Sequence, residues 1–168
     1  RESPAYTDSA AICGSDRNCS RSSLDSAIFA RLTAPPESGP VVESGTMRFG
    51  LFIPQGWRLD LVGIPPERHW PVMSDLAAHA DAGPWDSLWV YDHFHTVPVP
   101  TDEATHEAWS LMAAFGATTS RIKLGQMCTA MSYRNPAYLA KVASTTDIIS
   151  AGRVQMGIGG GGYEHEWR

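Results

Sequence analysis

The sequence predicts an α/β fold built on a parallel sheet. Two observations carry this. Short apolar runs of strand length alternate with longer segments whose apolar residues fall three and four apart, the spacing of one helical face. The runs begin near residues 48, 87, 122 and 153, a recurrence suited to right-handed βαβ units. Composition makes a packed core feasible, because 43% of the 168 residues are apolar and 18% are charged, a globular balance.

Each element has a local reason. Arg48–Ile53 (RFGLFI) reads as the first strand. Trp70, Met73, Leu76, Ala77 and Ala80 mark the inward face of a helix that Gly83-Pro84 ends. Ser87–Tyr91 (SLWVY) is the second strand, and a helix from about Glu107 carries Trp109, Met112, Ala113 and Gly116 on one face. Arg121–Cys128 (RIKLGQMC) is the third strand. Asn135-Pro136 opens the next helix, since Asn accepts from free first-turn amides and Pro at the first helical position forfeits no hydrogen bond. Leu139, Val142, Ala143 and Thr146 continue its face, and Gly152 ends it in a left-handed conformation. Arg153–Ile158 (RVQMGI) is the fourth strand. The spacing suits a (β/α)8 barrel and an open doubly wound sheet alike. A full barrel takes ~200–250 residues, so four strands amount to half of one.

Composition shifts near Met47. Residues 1–46 hold nine serines, four prolines and only two aromatics, Tyr6 and Phe29, whereas all six tryptophans and all six histidines follow Met47. So little large apolar surface cannot offset the entropy of ordering, and a disordered N-terminal extension is expected over 1–46. Six acids against four arginines and no sustained apolar stretch in that segment fit neither a transit peptide nor a secretory signal. Met47 is the expected translation start, with a partial barrel domain over 47–168.

Charge narrows the function. A formal net charge of −5 leaves no basic surplus for a phosphate backbone, so nucleic acid is not an expected partner. No apolar run approaches the ~20 residues that span a bilayer, so no membrane partner is expected either. Three cysteines cannot all pair, which points to a reducing cytoplasm. A small-molecule substrate is the remaining expectation.

Parallel α/β folds place chemistry at the C-terminal ends of strands. Pro54-Gln55-Gly56-Trp57 follows the first strand, and Trp57 is a candidate to line a pocket. Asp92-His93-Phe94-His95 follows the second. His93 there can move a proton near neutral pH, and an adjacent carboxylate can orient its ring. Met127-Cys128 ends the third strand, with Tyr133-Arg134 beyond it as a candidate anion contact. Gly159, Gly160, Gly161 and Gly162, then Tyr163, follow the fourth. A run without side chains lets a flat ring or a phosphate approach the backbone. Metal is not expected, although His93, His95 and His165 leave a metal-dependent hydrolase as an alternative.

MRFGLFIPQG, DSLWVYDHFH and RIKLGQMCTAMSYRNPAYLAKVASTTDIISAGRVQMGIGGGGYEHEW together resemble the N-terminal half of bacterial-luciferase-like oxidoreductases, the luciferase-like monooxygenase superfamily. Within it the closest likeness is to the branch that uses the deazaflavin coenzyme F420. The resemblance runs from Met47 to Arg168. It implies the first four βα units of a TIM-type (β/α)8 barrel with coenzyme F420, or alternatively FMN, at the C-terminal mouth. It implies catalytic Asp92 and His93 beside the ring, with His93 as proton donor or acceptor. It implies a non-proline cis peptide at Met127–Cys128 supporting the ring, and Gly159–Gly162 with Tyr163 close to the cofactor.

The likeness has departures. Some sugar-phosphate-oxidising relatives carry a Trp shortly after the Asp-His pair and a Glu in the strand-four loop, where this sequence has Val97 and Gly162. That argues against the same substrate. The expected activity is hydride transfer between F420 and a small organic substrate. The alternatives are an FMN-dependent monooxygenase using dioxygen, and a truncated fragment with no activity of its own. An open half-barrel exposes two sheet edges, so pairing of two copies into a homodimer is a further expectation.

Overall fold

The computed structural model describes residues 47–167. The expected extension over 1–46 lies outside the described residues. The elements are β1 (Gly50–Phe52), α1 (Pro66–Ala82), β2 (Ser87–Val90), α2 (Ala108–Thr118), β3 (Lys123–Ala130), α3 (Pro136–Ile149), β4 (Val154–Gly159) and a 3-10 turn at Glu164–Trp167. The alternation is the one the sequence predicts. The strands shift at their ends: β1 is shorter than Arg48–Ile53, and β3 runs two residues past Cys128.

All four strands are parallel and lie in chain order, β1-β2-β3-β4. A doubly wound sheet reverses its strand order and carries helices on both faces. Here one core joins Met73, Ala77 and Ala80 of α1, Met112 and Phe115 of α2 and Leu139 of α3 to Leu88, Val90 and Leu124 of the sheet. Alternate strand residues point to one face, so all three helices cover the same side. This is barrel geometry. Each large apolar side chain buried there contributes about 1.5–3 kcal/mol.

The inward face of α1 differs in part from the expected one. His69, Met73, Ala77 and Ala80 are buried, whereas Trp70 is 39% and Leu76 41% exposed. Trp70 instead leans on Phe115 with ring centroids 5.6 Å apart. A buried histidine is invisible to apolar periodicity. His69 fits because its Nδ1 meets His106 Nε2 at 3.0 Å and its Nε2 meets the Ile64 carbonyl at 2.8 Å.

The start of α3 follows the predicted cap. Asn135 Oδ1 accepts from the Ala137 and Tyr138 amides, and Gly152 has φ +80° beyond the helix end. Two arginines then repeat one role. Arg121, entering β3, donates to the carbonyls of Ala80, Asp81, Gly83 and Trp85 at the end of α1. Arg153, entering β4, donates to Gly116 and Thr119 at the end of α2 and to Ile122 and Ser150. Each satisfies helix-end carbonyls that have no partner within the helix.

The opposite face of the sheet is a hollow of about 610 Å³ lined by Phe52, Trp89, Met127 and Gln155. The Trp89 indole lies across it, and a Cβ on Gly125 would sit 2.4 Å from its ring carbons. Phe52 is 41% and Met127 50% exposed there. Among the described residues no helix is long and apolar enough to cross a membrane.

Candidate functional site

The site gathers at the C-terminal ends of β1 to β4. Gln55, fully buried, ties the first two ends together: its amide nitrogen donates to the Tyr91 and His106 carbonyls, and its oxygen accepts from the Tyr91 amide at 2.8 Å. That holds the loop carrying Trp57 against the loop carrying His93. The rings of Trp57 and His93 stack, with centroids 4.1 Å apart and planes 4° from parallel.

The expected pairing of Asp92 with His93 is corrected by the structure. Asp92 is buried, and its hydrogen bonds run to partners other than the imidazole. Arg134 Nη1 and Nη2 reach its two oxygens at 2.6 and 2.8 Å, and the Ala130 amide donates to it at 2.9 Å. Both residues lie in the loop after β2, and the path of that loop gives the Asp92 carboxylate to Arg134 and Ala130 rather than to the neighbouring ring. Asp92 is therefore a clamp between β2 and the end of β3. Arg134 also reaches Glu107 at 2.5 Å, and Glu107 caps α2 by accepting from the Trp109 and Ser110 amides. Its guanidinium is thus committed to two carboxylates rather than held open for a ligand anion. Hydrogen bonds and the charge of Asp92 outweigh burial and push its pKa up.

The carboxylate on His93 is Glu166, which sequence spacing did not single out. Its oxygens lie 3.1 and 3.0 Å from Nδ1, and Oε1 accepts from the Phe94 amide at 2.6 Å. The Tyr133 hydroxyl donates to Oε2. The Glu166 side chain is wholly inaccessible, while that of His93 is 23% exposed. Burial alone would raise the Glu166 pKa, but donation from Tyr133, His93 and Phe94 holds it below the usual range. Burial and the bond to Glu166 push the Tyr133 hydroxyl up. The only sequence signal for Glu166 is its place beyond a strand end.

The third and fourth strand ends meet at a bulge. Register runs from Gln126↔Met156 to Thr129↔Ile158, so β3 carries one extra residue where Met127 and Cys128 lie. The Met127–Cys128 peptide is cis. Gly157 makes room for the bulge, because a Cβ there would sit 2.4 Å from the Gln126 carbonyl oxygen. Gly159 is likewise close to Cys128, with its Cβ position 3.1 Å from the cysteine Cβ. A Cβ at Gly160 or Gly162 would meet nothing within 4 Å. Gly161 has φ +80°. Tyr163 closes the loop by donating from its hydroxyl to the Thr96 carbonyl at 2.9 Å, edge-on to His93. The structure thus joins His93 to the Tyr163 loop and Asp92 to the bulge. Among the described residues no three metal-ligating side chains come together, so His93, His95 and His165 do not form a metal centre.

A second cleft of about 660 Å³ opens between α2 and α3, bounded by Trp109, Tyr133, Arg134 and Tyr138. It contains none of the residues that the sequence nominated as catalytic or cofactor-binding.

Comparison with known proteins agrees with this architecture. An F420-dependent glucose-6-phosphate dehydrogenase of Nocardia farcinica (strain IFM 10152) is 38% identical over 104 residues, covering 55% of this chain and 30% of that protein. The chain therefore spans under a third of that relative's length. A Type II Baeyer-Villiger monooxygenase from Pseudomonas putida, in complex with FMN, shares the fold with a TM-score of 0.58 at 24% identity, over 71% of this chain and 31% of that one. An F420-dependent secondary alcohol dehydrogenase, in complex with an F420-acetone adduct, does so with a TM-score of 0.55 at 24% identity, over 70% and 32%. The luciferase-like monooxygenase family model matches residues 47–168. The four strands and three helices described here are the corresponding part of that barrel, and the chain belongs to the luciferase-like monooxygenase family.

Proposed function

We propose that residues 47–168 form the cofactor-binding half of an oxidoreductase that moves a hydride between coenzyme F420 and a small organic substrate. The observation that carries this reading is a partly exposed histidine, stacked on Trp57 and held by Glu166, beside a bulge and a loop without side chains. F420 is preferred over FMN because the 38% identical relative is named as F420-dependent.

The residues present fit a flat ring. Met127 and Cys128 are exposed at the bulge, and the Gly160 and Gly162 backbone is open to close approach. These residues, with Gly159, Gly161 and Tyr163, would hold the ring. When bound, a deazaflavin supplies a carbon centre that gives or accepts a hydride. His93 handles the accompanying proton at Nε2, the nitrogen not engaged by Glu166. Trp57 keeps the imidazole plane fixed while it does so. Asp92 and Arg134 keep the β2 end against the bulge. Arg134 is bound by carboxylates on both sides, so it is not the group that would receive a charged substrate.

Fluorescence titration of the full chain with F420 and, separately, with FMN tests this. Saturable binding of F420 with weaker or no binding of FMN is expected. Binding of FMN alone, with dioxygen consumed by the reduced complex, would replace it with the monooxygenase reading.

A further inference from the structure

Resting on that reading, we propose that Glu166 is the positioning residue for His93: it keeps the proton of the neutral ring on Nδ1 and leaves Nε2 as the bare nitrogen. An ionised carboxylate only accepts hydrogen bonds. Both of its oxygens face Nδ1, at 3.0 and 3.1 Å, so the contact requires an Nδ1–H. Which of the two ring nitrogens carries the proton is set by the hydrogen bonds those nitrogens make.

The surroundings commit Glu166 to accepting. The Phe94 amide at 2.6 Å and the Tyr133 hydroxyl both donate to it, and water has no access to its side chain. Two restraints then divide the work. Trp57, stacked 4.1 Å from the imidazole, fixes the ring plane but is indifferent to a half-turn about the ring axis. That half-turn would bring a carbon-bound hydrogen against the carboxylate in place of Nδ1–H. Glu166 decides the flip that Trp57 leaves open. Asp92 does not take this role here, because its oxygens accept from Arg134 and the Ala130 amide instead. The contact also spans 73 positions in sequence and ties the loop after β4 to the loop after β2.

The test is nitrogen-15 NMR of histidine-labelled full chain, read in the neutral form of the ring without cofactor. The native protein is expected to show His93 protonated on Nδ1. Glu166→Ala is expected to move the proton mostly to Nε2, the form free imidazoles favour, and to lower F420-dependent turnover about tenfold or more. Glu166→Gln keeps a carbonyl oxygen that can accept from Nδ1 and is expected to retain the native tautomer. A native spectrum with Nε2–H, or an Nδ1–H that survives in Glu166→Ala, would overturn the proposal. The native spectrum decides even if the alanine variant fails to fold. Because the spectrum needs no coenzyme, failure of the F420 titration with the expected tautomer present would count against the hydride-transfer reading alone.

Discussion

Arg134 grips Asp92 with both arms of its guanidinium, at 2.6 and 2.8 Å, with 11% and 2% of the two side chains exposed. An aspartate that sits next to the candidate catalytic histidine in sequence is therefore a structural tie in space. Removing one partner of a buried pair leaves the other charge without compensation and costs about 3–5 kcal/mol. Asp92→Ala is expected to lower the unfolding free energy, read from the urea midpoint and slope, by an amount up to that range, since Glu107 still partners Arg134. Asp92→Asn, which keeps the shape and part of the hydrogen bonding, should lose less. A midpoint unchanged in both would refute the clamp.

His93 makes a separate prediction about activity. His93→Ala is expected to lower turnover by about 10²–10⁴-fold, the usual contribution of a positioned acid or base. Cofactor affinity, read by fluorescence titration, should change less than turnover, because Met127, Cys128 and the open glycine backbone remain to hold the ring.

Asp81 predicts an acid limb of stability. Burial pushes its pKa up, but the amides of Ile122, Ser120 and Arg121 and the Ser120 hydroxyl outweigh that and bring it down to about 2 from 3.8. A carboxyl lowered by folding contributes stability above its unfolded pKa, and loses it as pH falls through the folded value. The difference in stability between the native chain and Asp81→Asn should be largest near neutral pH. It should shrink between pH 3.8 and about 2. Parallel denaturant titrations along that range check it.

Arg153 is buried with no carboxylate partner among the described residues, and five hydrogen bonds of 2.7–3.0 Å to carbonyls and the Thr119 hydroxyl hold its charge. Arg153→Met keeps the length and removes every donor. The stranded carbonyls make a loss of about 3 kcal/mol or more the expected outcome. Arg153→Lys should recover only part of it, since one ammonium cannot serve the fork. Thermal unfolding of the three proteins gives the ranking.

Gly125 and Trp89 should be coupled. A methyl group on residue 125 would sit 2.4 Å from the Trp89 ring, an overpacking of the kind that costs about 1–3 kcal/mol. In a Trp89→Leu background the same Gly125→Ala change should cost close to nothing. A double-mutant cycle with no coupling energy would show that the indole simply moves aside.

The sequence by itself determined the element order, the parallel α/β class, the α3 cap at Asn135 and the strand ends where chemistry collects. Those features depend on apolar period and on capping residues within a few positions, and such local preferences survive without a partner. Apolar period alone misplaced the α1 face, because His69 is buried through a bond to His106 that lies 37 positions away. The resemblance of the motifs, rather than their spacing, pointed to a barrel. The tertiary structure decided that question physically, by putting all three helices on one side of a sheet in chain order. It also decided which carboxylate meets His93. Asp92 is adjacent in sequence but is bound by Arg134 and the Ala130 amide, while Glu166 arrives from the 3-10 turn after β4. A strand alternates its side chains by residue, and a loop delivers them by the path of the chain. Spacing encodes the first and not the second.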